Sequence, residues 1–152
     1  MTQSITPHLT VHDAASAIEF YKKAFNAEEK YRMPTPDKQK IMHAELQIGN
    51  SIIFLNDEFP DSGILSPKSL NGSAVTIHLQ IDDADLWFNR AVDAGAESTM
   101  ALENTFCGDR YGKVVDPFGH HCSIGSHVEQ LSSEEVQRRA NLELLVKNNF
   151  GV

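Results

Sequence analysis

Cysteine is scarce in this sequence, because only Cys107 and Cys122 occur and neither has a neighbour at metal-site spacing. Two unpaired thiols predict a reduced, cytoplasmic protein. Long apolar runs are also missing, since no stretch approaches the roughly 20 residues that cross a bilayer. The first residues lack the basic segment followed by an apolar one that marks a secretory signal. We therefore expect neither secretion nor a membrane partner.

Positive charge is the second shortage. The chain carries 13 Lys and Arg against 21 Asp and Glu, which gives a formal net charge of -8. The basic residues are scattered, whereas nucleic-acid binding needs a basic surface that displaces counterions from the phosphates. Nucleic acid is therefore not an expected partner. At 152 residues with 41% hydrophobic residues, the composition is that of one globular domain. We expect an acidic protein without a membrane anchor to meet small solutes.

An internal repeat organises the chain. Residues 6–14 (TPHLTVHDA) correspond to residues 76–84 (TIHLQIDDA), and Thr, His, Leu, Asp and Ala recur in register. An apolar pattern with helical spacing follows each copy, and Asp13 and Asp83 stand where an N-cap belongs. Gly49-Asn50 predicts a tight hairpin, and Asp116-Pro117-Phe118-Gly119 predicts a type I turn. Each half therefore has the order strand, helix, strand, strand, strand.

These elements predict a single α+β domain over residues 1–152. It contains two tandem βαβββ modules, at 4–57 and 74–126, which form a curved mixed sheet around a cavity. A polar connection, 58–73, joins the modules. A C-terminal helix over 132–148 begins at a capping box and carries an apolar stripe. The predicted strands after the helices are 28–33, 41–48 and 51–56 in the first module and 97–102, 109–116 and 120–126 in the second.

Alternation along the first strand of each module separates an apolar face from a polar one. Leu9 and Val11 point to one side and must face the helix, while His8 and Thr10 point to the other. The repeat places Leu79 and His78 in the same way. Two such modules side by side turn their polar faces toward a shared concavity, which is the expected ligand site.

The chain resembles the vicinal oxygen chelate superfamily, which contains glyoxalases, bleomycin resistance proteins and dioxygenases. The resemblance rests on the paired modules and on Val115-Asp116-Pro117-Phe118-Gly119-His120. The segments 17–25 (AIEFYKKAF) and 108–112 (GDRYG), with Ser126-His127, most resemble its PhnB-like branch. The resemblance covers residues 5–139 and implies the glyoxalase-type fold and a homodimer. It does not imply one activity, since relatives include lyases, isomerases, dioxygenases and metal-free binding proteins.

The metal positions of that superfamily carry unsuitable residues here. By the resemblance, the usual ligand positions fall on Thr6, Thr76 and Ser123, and the fourth falls on Ile53 or Phe54. None of these side chains normally holds a divalent ion. The resemblance therefore implies that the usual metal site is missing and that no cofactor is needed.

A displaced metal site is a second hypothesis. His8 and His78 lie two residues beyond the vacant positions and stay on the polar face. If the last strand of a module runs antiparallel to its first, the matching step leads from Ser123 to His121. These three histidines could hold Zn²⁺, Ni²⁺ or Fe²⁺ and polarise a substrate oxygen. No carboxylate is clearly placed to join these histidines, and Glu45 on the third predicted strand is the nearest candidate. Histidines in polar pockets more often form hydrogen bonds, so we favour the first interpretation.

The leading functional hypothesis is therefore a small-molecule-binding protein without the usual metal. One alternative is a metal-dependent lyase, isomerase or dioxygenase that uses the displaced histidines, so whether the chain is an enzyme stays open. Another is a dimeric interaction module whose pocket is filled. Arg110 could bind an anionic ligand group, or could brace a loop through a local Asp pair. The predicted pocket residues are Thr6, His8, Phe54, Thr76, His78, Arg110, His121 and Ser123.

Overall fold

The computed structural model describes residues 3–150, so the predicted domain limits at 1 and 152 lie outside the described residues. Two modules with the same order of elements follow each other. The first contains β1 (His8–Val11), α1 (Ala14–Phe25), β2 (Glu28–Pro34), β3 (Ile41–Ile48) and β4 (Ser51–Asp57). A 3-10 turn, Pro60–Ser62, and a short helix, α2 (Pro67–Leu70), lie in the connection. The second contains β5 (Thr76–Gln80), α3 (Ala84–Asp93), β6 (Glu97–Asn104), β7 (Asp109–Val115) and β8 (His121–His127), and α4 (Ser133–Phe150) follows. The α+β fold class with two βαβββ modules and a C-terminal helix is confirmed.

Each module forms its own four-stranded mixed sheet. The strand orders are β1-β4-β3-β2 and β5-β8-β7-β6, so β1 and β5 each lie at an edge. The first strand pairs in parallel with the last strand of its module, β1 with β4 and β5 with β8. Our expectation of antiparallel pairing was wrong. The helix after β1 returns the chain to the end of the sheet where β1 began, so β2 runs parallel to β1. Two hairpins follow, and each reverses the direction of the chain, so β4 also runs parallel to β1.

Helices α1 and α3 begin where the repeat predicts. The Asp13 carboxylate accepts a hydrogen bond from Ser16 N at 3.1 Å, and the Asp83 carboxylate accepts one from Leu86 N at 3.0 Å. Each N-cap satisfies a backbone donor that has no partner within the helix. The repeated Asp therefore fixes the start of α1 and of α3.

The predicted turns also form. A two-residue loop joins β3 to β4, and Gly49 adopts a φ of 58°, which glycine tolerates better than other residues. In the second turn, Gly119 N donates to the carbonyl of Asp116 at 3.1 Å. The buried Asp116 carboxylate accepts hydrogen bonds from the backbone N–H groups of Phe118 and His120. This carboxylate therefore holds the whole turn in place.

The two modules pack through their helices rather than through their sheets. Helices α1 and α3 contact each other, whereas within residues 3–150 no strand of one sheet contacts a strand of the other. The Phe25 and Trp87 rings stack across this contact at 6.4 Å. Tyr21 donates its hydroxyl hydrogen bond to Asp116 of the other module. The modules share one apolar core, and each sheet keeps one open face.

This packing differs from the expected arrangement in one respect. We expected the two sheets of a chain to enclose one concavity between their polar faces. The structure instead has two separate sheets, and the polar face of each lines its own hollow. The helix-to-helix contact causes this difference, because it brings the apolar faces of the modules together.

Helix α4 begins at the predicted cap, where Glu135 N donates to Ser132 Oγ at 3.2 Å. Its apolar residues, including Leu142 and Leu145, are exposed in the chain. In the part of the chain that the structure describes, no helix combines the length and the apolar character needed to cross a membrane.

Candidate functional site

His78 lies on the open face of the second sheet, in the edge strand β5. Its Nδ1 lies 2.8 Å from Ser123 Oγ, and its Nε2 lies 2.9 Å from Gln80 Oε1. Both distances are those of hydrogen bonds, and the tautomer of the ring determines which group donates in each. Ser123 is only 2% exposed and lies opposite His78 in the parallel register. Both nitrogens of the His78 ring are therefore engaged by neighbouring side chains.

Tyr111 of β7 extends this face. Its ring lies nearly parallel to that of His78, with an angle of 23° and 6.0 Å between the ring centroids. Gly125 of β8 lies between the two rings. A Cβ atom at this position would lie 3.2 Å from His78 Cε1 and 3.5 Å from Tyr111 Cδ2. The glycine therefore leaves the space into which both rings lean.

A hollow of about 680 Å³ lies next to these rings. Its volume is within the range of small-molecule sites. Its walls are formed by apolar, sulfur-containing and polar side chains from β5, β6, β7, the loop between β6 and β7, and α4. Among the lining residues are His78, Met100, Phe106, Cys107, Tyr111 and Lys147.

The open face of the first sheet carries a cluster of rings. Phe54 lies opposite His8 in the β1-β4 register, and the two rings meet edge to face at 5.7 Å. His43 of β3 contacts Phe54 at 4.8 Å and His8 at 5.8 Å between centroids. Tyr31 of β2 lies beyond His43, at 6.2 Å. His43 Nε2 is 3.2 Å from Glu45 Oε1, which fixes the orientation of its ring.

A second hollow, of about 570 Å³, lies at the β1 end of this face. Its lining includes His8, Thr10, Met42, Asn56 and Ile64. Ile64 belongs to the connection between the modules, which reaches back to Phe59 through a pair of backbone hydrogen bonds. The two hollows share no lining residue, so the first and second sheets offer separate half-sites within one chain.

The predicted pocket residues divide between these faces. Phe54 and His8 lie together on the first sheet, and Thr6 precedes β1. His78 and Ser123 pair on the second sheet, where Thr76 lies opposite His121. The structure therefore brings these residues together in two groups rather than one.

Arg110 does not share either open face. Its guanidinium holds the Asp85 carboxylate at 2.6 and 2.8 Å, and Asp85 belongs to the first turn of α3. This bidentate pair lowers the pKa of Asp85 and raises that of Arg110. Arg110 therefore lies on the helix side of β7 and braces α3, and its partner is Asp85 of that helix rather than a local Asp of a loop.

The displaced histidine site does not assemble within the chain. The parallel register places Ser123, not His121, opposite His78, and His8 belongs to the other sheet. Among the described residues, no group of three His, Cys, Asp or Glu side chains is close enough to hold a metal ion. The usual ligand positions offer hydroxyl groups and a phenyl ring, which do not fit a divalent ion. The residues at these positions therefore do not fit the metal ion that the usual superfamily site would hold.

The two cysteines have different surroundings. Cys122 is buried on the helix side of β8, and burial raises the pKa of its thiol to about 12, with a smaller contribution from the Asp116 carboxylate. Cys107 is half-buried beside Thr105 Oγ1, at 3.0 Å, and lines the larger hollow. Cys122 is thus a core residue, as its position in the strand predicted.

Three aromatic or histidine residues of the open faces were missed by the sequence argument. These are Tyr31, His43 and Tyr111. Tyr111 alternates with Arg110 and Gly112, so its position in β7 already assigned it to the face opposite that of Arg110. His43 has no evident partner in the sequence. Glu45 lies two residues further along β3, and the strand conformation places both side chains on the same face.

A third hollow, of about 420 Å³, lies between the modules over α1 and α3. The edge strands β1 and β5 border it, and its floor is apolar, with Phe25, Ile53 and Trp87 among the lining residues. Two apolar residues near these edges are largely exposed, Ile5 at 98% and Val75 at 64%. Unpaired strand edges beside apolar surface are favoured sites for association with another chain.

The family model of the glyoxalase/bleomycin resistance protein/dioxygenase superfamily matches residues 4–124. The chain belongs to this superfamily. Among its relatives, the uncharacterized protein Mb0911c of Mycobacterium bovis is 49% identical over 137 residues, which cover 88% of this chain and 90% of that protein. The uncharacterized protein At5g48480 of Arabidopsis thaliana is 34% identical over 109 residues, 68% of this chain and 65% of that protein.

Several solved structures share the fold. The At5g48480 structure has a TM-score of 0.65 at 29% identity and covers 82% of this chain and 98% of its own. The fosfomycin resistance protein FosX of Listeria monocytogenes, complexed with Mn(II) and sulfate, has a TM-score of 0.65 at 18% identity and covers 92% and 98%. TioX from Micromonospora sp. ML1 has a TM-score of 0.63 at 20% identity and covers 86% and 100%. Membership of the PhnB-like branch stays a prediction.

Proposed function

We propose that this superfamily member binds a small organic molecule without the usual metal and that its ligand site lies on the open sheet faces. The observation that supports this most directly is the ordered polar and aromatic surface around His78. Both nitrogens of that ring are held by Ser123 and Gln80, so metal binding at His78 requires the loss of one of these hydrogen bonds. The two unpaired thiols favour a cytoplasmic protein.

A second copy of the chain completes the site in this proposal. Each open face lines its own hollow, and β1 and β5 are edge strands. A two-fold pair of chains that meet along these edges brings the first sheet of one copy opposite the second sheet of the other. The exposed Ile5 and Val75 lie next to the edges and are buried by this contact. A homodimer therefore contains two composite sites.

The first experiment measures the assembly. We expect wild-type protein to sediment as a dimer at micromolar concentration. Val75→Asp places a charge in the contact, so we expect its dimer dissociation constant to rise at least about tenfold, or about 1.4 kcal/mol. Leu86→Asp is the matched control, because Leu86 is also exposed, at 52%, but lies in α3. A monomeric wild type, or equal effects of the two substitutions, contradicts the composite site.

The second experiment tests binding at that site. A thermal-shift screen against a library of metabolites supplies ligands, since a bound ligand raises the melting temperature. We expect the His8→Ala and His78→Ala homodimers to bind such a ligand less tightly than wild type. A heterodimer of these two variants regenerates one intact site, because the wild-type His8 and His78 then face each other from different copies.

We therefore expect this heterodimer to bind about half the wild-type amount of ligand with wild-type affinity. If the site lies within one chain, the heterodimer stays as weak as its parents. A screen that returns no ligand contradicts small-molecule binding and favours the interaction-module alternative.

A further inference from the structure

Asn56 is a buried polar residue on the open face of the first sheet, near the end of β4. It lies opposite Thr10 in the β1-β4 register and is only 6% exposed. Its Nδ2 donates to the carbonyl of Asp57 at 2.8 Å and to Thr10 Oγ1 at 3.4 Å. A backbone carbonyl only accepts hydrogen bonds, so this contact fixes which way the side-chain amide is turned. The nitrogen faces the Asp57 carbonyl, and the amide oxygen Oδ1 faces away from it.

The Oδ1 atom of Asn56 is an acceptor to which no described residue donates. Both side-chain hydrogen bonds of Asn56 use Nδ2. Among the described residues, no fully buried side-chain oxygen or nitrogen lacks a partner. Oδ1 must therefore reach open space, and the hollow of about 570 Å³ that Asn56 lines supplies that space. A largely buried acceptor that opens onto a hollow favours a ligand with a hydrogen-bond donor.

Thr10 supplies a donor beside this acceptor. Its hydroxyl oxygen accepts from Asn56 Nδ2, and within the described part of the chain the hydroxyl donates to no other group. Thr10 lines the same hollow, so its hydroxyl can donate to a ligand there. The Asn56 amide oxygen and the Thr10 hydroxyl are thus an acceptor and a donor side by side. An amide group presents the complementary pair, because its N–H donates and its carbonyl oxygen accepts.

The other walls of the hollow suit an uncharged ligand. They combine three apolar side chains with two groups that form hydrogen bonds, namely Met42, Phe59, Ile64, His8 and Ser62. No Asp, Glu, Lys or Arg among residues 3–150 lines this hollow. The Lys40 ammonium lies over the Phe59 ring and donates to the Glu58 carbonyl at 2.7 Å, so it is already engaged. A carboxylate only accepts hydrogen bonds and cannot use the Asn56 oxygen.

We propose that Asn56 and Thr10 form a subsite that recognises a primary amide or a lactam group of the ligand. Asn56 Oδ1 accepts from the amide N–H, and the Thr10 hydroxyl donates to the amide carbonyl. This inference rests on the proposed function, since the hollow belongs to one of its open faces, and it names the ligand class. Primary amides and lactams present N–H and C=O on one edge. A trans peptide bond directs them to opposite sides, so an extended peptide does not fit.

A matched pair of cyclic probes tests the Asn56 half of the subsite in wild-type protein. Caprolactam and cycloheptanone both have a seven-membered ring and a carbonyl, but only the lactam has an adjacent N–H. We expect caprolactam to bind about three to ten times more tightly, which is the net effect of one hydrogen bond. NMR titration of ¹⁵N-labelled protein measures both dissociation constants, and the Asn56 side-chain amide should shift. Caprolactam that binds no more tightly than cycloheptanone, shifts centred on the second sheet, or no binding of either probe refutes the subsite.

Two substitutions separate the roles of the acceptor and the donor. Asn56→Leu has a similar volume but no acceptor, so we expect the preference for caprolactam to fall to within about twofold. Thr10→Val removes only the hydroxyl, which faces the carbonyl that both probes share. We expect it to weaken both probes about twofold to tenfold and to keep the preference. Asn104→Leu makes the same change as Asn56→Leu in the hollow of the second sheet, and this control should keep the preference too.

Thermal melting checks that each variant folds. If Asn56→Leu does not fold, N-methylcaprolactam replaces it as a test of wild-type protein, since its nitrogen carries no hydrogen. Binding of this compound as tight as that of caprolactam overturns the role of Asn56. A loss of preference in Asn104→Leu equal to that in Asn56→Leu overturns it as well.

Failure of this inference can be told apart from failure of the proposed function. If the heterodimer of the histidine variants regains binding but wild type binds both cyclic probes equally, amide recognition is wrong and the composite site stands. Failure of the proposed function instead appears as a monomeric wild type or as a heterodimer that does not regain binding.

Discussion

Removing the Tyr21 hydroxyl tests how the two modules are held together. This hydroxyl is buried on α1 and donates to Oδ2 of Asp116 in the turn before β8. The other carboxylate oxygen, Oδ1, already accepts from Phe118 N at 2.9 Å and from His120 N at 2.8 Å. In Tyr21→Phe, Oδ2 loses its donor at a site that is only 2% exposed.

The expected cost follows from this geometry. A hydrogen bond to a charged acceptor contributes roughly 1.5–3 kcal/mol, and a buried oxygen without a donor adds a desolvation penalty. The ring itself stays in place, since phenylalanine keeps the stacking of Tyr21 on Phe25. We therefore expect a loss of about 2 kcal/mol in the free energy of unfolding. For a chain of this length, that lowers the melting temperature by roughly 4–8 °C.

Urea denaturation at one fixed protein concentration, followed by circular dichroism, measures this loss. Tyr31→Phe is the matched control, because the Tyr31 ring is 49% exposed, and we expect a change below about 0.5 kcal/mol. Burial raises the pKa of Tyr21 well above its usual value, with further contributions from Asp116 and Cys122. The phenol therefore stays protonated at neutral pH, and the stability it contributes declines only as the pH rises above about 10. Equal losses in the two variants would refute this account of the module contact.

Two further predictions concern the cysteines and metal ions. At pH 8 we expect one fast and one protected thiol in the reaction with Ellman's reagent, since burial raises the pKa of Cys122 to about 12 and leaves almost no thiolate. Cys107→Ser should abolish the fast phase, and a fast phase that persists contradicts the assignment. For metal, we expect calorimetric titration with Zn²⁺ to give the same result for wild type and His78→Ala, because both His78 nitrogens are already engaged. Stoichiometric binding that is lost in the variant would instead support the metal-dependent enzyme alternative.

The helices and strands of the modules were predictable from the sequence, because the residues that determine each element lie close together in the chain and recur in the repeat. Asp13 and Asp83 have the same capping role, and both cap the helices that follow them. Alternation in β1 placed Leu9 in the core and His8 on the open face, as the structure has them. These features depend on a few neighbouring residues, so a sequence is enough to predict them.

The direction of the last strand was predictable but was predicted wrongly. The count of elements already determines it, since one helix and two hairpins return β4 to the direction of β1. The error moved the partner of His78 from Ser123 to His121 and thereby created the displaced metal site. In the observed register, the Ser123 hydroxyl lies within hydrogen-bond distance of His78 Nδ1. His78 therefore contacts Ser123 rather than forming a metal site with His121.

The arrangement of the modules depends on the width of the apolar surface of α1. At 100° per residue, Ala17, Ile18, Phe20, Tyr21, Ala24 and Phe25 cover an arc of about 160°. A helix that covers only one sheet needs an apolar stripe of about 100°. The wider arc allows α1 to contact its own sheet and α3 together, and Phe25 stacks on Trp87 in this second contact. The apolar faces of both modules then lie inside the chain, so the polar faces cannot meet each other there. This is why we place the partner of each open face on a second copy.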